Sequence, residues 1–119
     1  MPFKTILKNL VEEIPHASGA VLADWEGEAV EHFCLYDDYE LKLLGAHKGI
    51  ILNRMKEIQA ELTAGALQHA VIATGKMTVI TAVVGPDYAL VLTLDRDAVI
   101  GQALYRLRQA IELLAKEIY

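Results

Sequence analysis

The chain has 119 residues, a net charge of -5 and a single cysteine, Cys34. That length fits one domain spanning residues 1–119 with one ordinary core. The acidic balance, without any Lys/Arg cluster, argues against a nucleic-acid partner. A lone cysteine excludes an internal disulfide and suits a reducing compartment. Hydrophobic residues make up 54 %, above the roughly 45–50 % of ordinary soluble domains. The excess points to surface covered by a partner, most simply a second copy of the chain. No apolar run approaches the ~18 residues of a membrane span, and the first residues carry Glu12 and Glu13 without a cleavage pattern. A cytoplasmic location is expected.

In chain order, Phe3, Leu7, Leu10, Val11 and Ile14 recur at helical spacing between Pro2 and Pro15, which predicts a first helix over about 3–14. The segments SGAVLAD and AVEHFCLY, separated by Trp25-Glu26-Gly27-Glu28, read as a hairpin. A middle helix is expected from about Asp38, as N-cap, to Leu62, with Gly65 beyond its end. At 1.5 Å per residue it would span roughly 35–40 Å. One stripe of it (Leu44, Ile51, Met55, Ile58, Leu62) serves a core. A second stripe, Leu43, Ala46 and Ile50, lies more than about 100° away, and a helix that only covered its own sheet would not need it. Gly45 and Gly49 add a flat strip at i, i+4. Because one glycine inside a helix costs roughly 0.5–1 kcal/mol against alanine, two suggest close backbone packing.

Gln68 to Leu94 holds three β-branched runs broken only at Thr74-Gly75 and Gly85-Pro86-Asp87. Breaks this short leave no room for crossover helices, so the strands must be antiparallel hairpin neighbours. Both faces of the central run are apolar or small: Val79, Thr81 and Val83 on one, Ile80, Ala82 and Val84 on the other. Both faces of the sheet are therefore expected to be covered. Asp95-Arg96-Asp97 offers capping carboxylates for a last helix with the seam Ile100, Leu104, Leu107, Ile111, Leu114 and Ile118. The expected order is α-β-β-α-β-β-β-α, an α+β fold in three α/β/α layers around a five-stranded antiparallel sheet, roadblock-like in the broader profilin-like class.

This order resembles the roadblock family, which includes dynein light chain roadblock and the bacterial gliding-motility B proteins. Gly19 to Asp24 followed by Gly27 resembles the family's first hairpin with its D-x-x-G turn. Leu90-Val91-Leu92 with Asp95 resembles its last strand, and Ile100-Gly101 with Leu107-Arg108 its final helix. The resemblance implies homodimers in which middle helices and third strands pair across a two-fold axis, and association with small Ras-like GTPases. It places the dimer interface at Gly45, Gly49, Leu52, Ala70, Val71, Ile72 and Ala73. Leu43, Ala46 and Ile50, rimmed by Asn53 and Arg54, become the partner-binding surface. A structural adaptor for a motor or cytoskeletal component is the alternative, with a small-molecule sensor behind it.

Chemistry is not expected of the chain. The segment Thr74-Gly75-Lys76-Met77 fails the phosphate-loop pattern at both ends and turns a hairpin instead of opening a helix. His16, His32, His47 and His69 show no metal-ligand spacing, so neither a metal nor a cofactor is expected. His32 and Cys34 share a strand face, but alternate strand residues usually stand side by side, and Cys34 reads as a small packed hydrophobe. Ser18, the one serine, sits in no nucleophile elbow. Each arginine reads more readily as solvated or ion-paired than as an arginine finger. No catalytic residue is named, and the expectation is a non-enzymatic protein.

Overall fold

The structure, a computed structural model, describes residues 3–24, 28–35, 69–73, 75 and 77–119. Its elements are α1 (Phe3–Glu13), β1 (Ala17–Asp24), β2 (Ala29–Cys34), β3 (His69–Ala73), β4 (Met77–Val84), β5 (Tyr88–Asp95) and α2 (Ile100–Ile118). The expected middle helix lies outside the described residues. The five strands form one antiparallel sheet in the order β2-β1-β5-β4-β3.

α1 buries Phe3, Leu7, Leu10 and Val11, the i, i+4, i+7, i+8 stripe that the sequence spacing sets. Pro15 stops the helix, and the chain reverses at His16, whose φ of 70° is left-handed. Histidine tolerates that region better than most residues with a side chain. The reversal is held by Ala17 N–H donating to the Ile14 carbonyl (3.2 Å) and Asp95 N–H donating to that of His16 (2.8 Å). At the other end of β1, Asp24 closes the hairpin: its Oδ1 accepts from Glu28 N–H at 3.0 Å, while its own N–H donates to the Glu28 carbonyl at 3.1 Å. The aspartate of the D-x-x-G segment is thus a turn-closing acceptor.

β4 pairs with both β3 and β5, as the short breaks require. The step that makes one sheet of two hairpins is β1 on β5, with Val21 opposite Val91 and Leu22 opposite Leu90. Strand alternation then sorts the side chains. Ala20, Leu22, Ile80, Ala82, Val84, Leu90, Leu92 and Leu94 turn to one face and pack with α1 and α2. Val21, Ala23, Val79 and Val91 turn to the other and form a second buried cluster, with Ala29, Cys34 and Met77 beside it. Each fully buried leucine or isoleucine of this kind contributes roughly 1.5–3 kcal/mol by leaving water.

Two details of α2 differ from expectation. Val99 is the N-cap, with no side-chain cap bond. Asp95 instead ends β5, and its carbonyl accepts from Ala98 N–H at 3.0 Å, closing a turn that leaves the acidic pair too far back to cap. The centre of the buried seam is Ala103, Leu107, Ala110 and Leu114, while Ile100, Leu104, Ile111 and Ile118 flank it half-buried. The alanines at the centre let the helix backbone come close to the sheet and to α1, and the larger isoleucines then fill the flanks.

Candidate functional site

β3 is a terminal strand of the sheet. Its five residues pair in unbroken register with β4, Ala70 opposite Thr81 and Ile72 opposite Val79, and no described strand lies on its other side. Its side chains carry no formal charge unless His69 is protonated, and it has neither proline nor bulge. Val71 is 42 % exposed on the face that carries α1 and α2. Ala73, on the same face, is also exposed, while Ala70 and Ile72 on the opposite face are half-buried. An edge strand of this composition presents unpaired N–H and C=O groups beside apolar side chains, which is a template for another strand.

Four of the predicted interface residues, Ala70, Val71, Ile72 and Ala73, are therefore brought together along this edge. Gly45, Gly49 and Leu52, and the predicted partner surface of Leu43, Ala46, Ile50, Asn53 and Arg54, lie outside the described residues, as does Trp25.

Several of the chemically suggestive residues make structural contacts. Arg96 Nη1 donates to the Gly75 carbonyl at 3.1 Å, tying the exit of β5 to the β3–β4 turn. Arg106 is shared among Glu13 (3.8 Å), Gln109 (3.4 Å) and the Tyr105 ring (5.9 Å to its centre). Ser18 is the extra residue of a β-bulge between Ala17 and Gly19. Its hydroxyl donates to the Thr93 carbonyl at 3.2 Å and lies 2.7 Å from the Thr93 hydroxyl, so it knits the bulge to β5. His32 and Cys34 do share a sheet face, through their pairing with Val21 and Gly19, and Cys34 packs beside the second cluster.

Among the described residues, no group of three or more His, Cys, Asp or Glu side chains could hold a metal ion. No described helix is long and apolar enough to cross a membrane. Hollows formed by the described residues include one of about 390 Å³ between α1 and α2 over Leu10 and Ala110 and one of about 440 Å³ at the sheet end around His16, Leu35 and Met77. Both open broadly to solvent.

A contact that sequence reasoning missed joins the end of α2 to the β4–β5 turn. Gly85 has a left-handed φ of 62°, and the Tyr119 ring occupies the space a Cβ there would need. The Tyr119 hydroxyl donates to Asp87 Oδ2 at 3.1 Å and accepts from Asp87 N–H at 3.2 Å. Partial desolvation pushes the phenol above its ordinary value, partly offset by the Asp87 N–H bond, which favours the ionised form; the Asp87 carboxylate adds to the rise. The Gly-Pro-Asp turn was legible in the sequence; its pairing with a residue 32 positions away was not.

No protein-family model matches the sequence, and no curated protein matches it. Solved structures do. A roadblock/LC7 domain from Streptomyces avermitilis superposes with a TM-score of 0.88 at 16 % identity, covering 97 % of this chain and 96 % of that one. Myxococcus xanthus MglB gives 0.88 at 15 % identity, over 99 % and 95 % of the two chains. The gliding protein MglB of Thermus thermophilus gives 0.84 at 21 % identity, over 96 % and 86 %. With a two-edged antiparallel sheet, two helices on one face and superposition over nearly the whole length, this chain has the roadblock/LC7 fold.

Proposed function

We propose that this chain is a homodimeric, non-enzymatic regulator or scaffold for a small Ras-like GTPase, working through protein–protein contact as a single domain. The observation that carries the reading is the β3 edge, which no described strand pairs on its outer side, within a fold shared nearly end to end with MglB. Two β3 edges meeting antiparallel would make one continuous sheet across an isologous interface. Ala70, Val71, Ile72 and Ala73 would line that seam, with Gly45, Gly49 and Leu52 completing it. Leu43, Ala46 and Ile50, with Asn53 and Arg54 at the rim, would then form the partner platform, since an apolar centre with a polar rim is how interfaces are usually built. Two copies of that platform beside the axis would let one globular GTPase straddle both.

The test is a calorimetric titration with a Ras-like GTPase from the same genome, loaded with GDP or a GTP analogue. Ile50→Asp puts a charge in the centre of the platform and is expected to cost roughly 2 kcal/mol or more of affinity. Its mass in solution is measured alongside. An Ile50→Asp protein that stays dimeric and binds like wild type would remove the platform from the middle helix.

A further inference from the structure

We propose that Tyr119 is a charge-sensitive clasp on the end of α2, and that phosphorylation of its hydroxyl opens it. Three contacts converge on this one side chain: the ring over Gly85, the hydroxyl donating to the Asp87 carboxylate, and the Asp87 N–H donating to the hydroxyl. Both polar contacts reach the same residue, so any change that blocks the hydroxyl weakens both together. Behind the clasp, Ile118 and Tyr88 pack half-buried against the main core, to which Val84 and Leu114 belong. The last turn of α2 therefore acts as a strap across one end of the sheet. Tyr119 itself is 59 % exposed and its backbone is held to the helix by one bond, N–H to the Ala115 carbonyl at 2.8 Å.

The hydroxyl proton is what makes the clasp attractive. Phosphoryl transfer from ATP forms a P–O bond to Tyr119 Oη and breaks the bond between the γ-phosphorus and its bridging oxygen. ADP leaves, and the phenolic proton passes to the kinase's base. The product has lost the donor that Asp87 Oδ2 accepted and places about two negative charges next to that carboxylate. Among the described residues, Asp87 and the Tyr88 phenol bear on the Tyr119 hydroxyl, and neither carries a positive charge. Repulsion then lifts the ring from Gly85, freeing the turn and the last helical turn at once.

The experiment treats the full chain with a broad-specificity tyrosine kinase and MgATP, maps the phosphate by mass spectrometry, and follows amide hydrogen exchange in residues 84–88 and 115–119. Phosphate at Tyr119 with exchange about tenfold faster in both segments is expected, while the sheet centre stays protected. No incorporation at Tyr119, or incorporation with unchanged exchange, overturns the proposal. Asp87→Asn separates charge from bulk: with a neutral amide able to donate to the phosphate, phosphorylated and unmodified proteins should exchange alike. Equal opening in Asp87→Asn and wild type would overturn the charge mechanism.

Discussion

The sheet has two edges, and they are built in opposite ways. β2 is interrupted: Leu22 pairs with Glu31 but Ala23 pairs with Ala29, so Val30 is an extra residue that bends the strand. Its Glu31 turns toward the helices and lies 3.9 Å from Lys4. A bulge and an inward charge are the usual devices by which a natural edge discourages a further strand. β3 has neither. It runs in unbroken register, with formal charge available only through protonation of His69, and shows Val71 to solvent. The difference marks β3 as the less defended edge, and it is a matter of local backbone geometry more than of hydrophobicity, since Val30 is as exposed as Val71.

The sharpest way to break that comparison is to place the same charge on both edges. Val71→Lys should weaken self-association by about 1–3 kcal/mol, because two lysines would face each other near the two-fold axis. Val30→Lys should leave it unchanged. Light scattering at micromolar concentration should report about twice the 13.1 kDa chain mass for wild type and Val30→Lys, and a smaller mass for Val71→Lys. Equal behaviour of the two variants would end the argument from edge geometry.

A second test concerns the strand on which β3 rests. Thr81, opposite Ala70, is 1 % exposed, and its hydroxyl has no hydrogen-bond partner among the described residues. Thr81→Val keeps the shape and removes the orphaned polar atom, so denaturant unfolding should show a gain of about 1 kcal/mol. The edge itself is untouched, and the dimer dissociation constant should not move. A destabilised Thr81→Val protein would mean that the hydroxyl is satisfied in solution.

The smallest effects belong to β2. Glu31→Ala removes a partly exposed ion pair and should cost no more than about 0.5 kcal/mol of stability. Cys34→Ser, near the end of the same strand, should leave partner binding intact, because Cys34 serves packing; loss of binding by a folded Cys34→Ser protein would expose a thiol function. Should Glu31→Ala alone turn β2 into an association edge, seen as species above the dimer mass, the charge rather than the bulge would be the protecting device.

Local pattern determined a good deal of this molecule. The stripe of α1, the hairpin neighbours β3, β4 and β5, and the Asp24 turn are set by contacts within a few residues, and such contacts leave their period or their turn residue in the sequence. The apolar, small character of both sides of β4 likewise announced a sheet buried on two faces. What tertiary structure alone decided involves distant partners. The pairing of β1 with β5 makes one sheet, puts β2 and β3 at its edges, and has no local signature, because any apolar strand could have taken that place. The centring of α2 on Ala103 and Ala110 depends on how closely the helix can approach the sheet, which residue periodicity does not encode. The two β-bulges, and the seating of Tyr119 against Gly85 and Asp87, likewise exist only because the sheet brings those residues together. The residues of β3 were legible as an apolar run, but that the run forms an edge, and the less defended of the two described edges, follows from the assembled sheet.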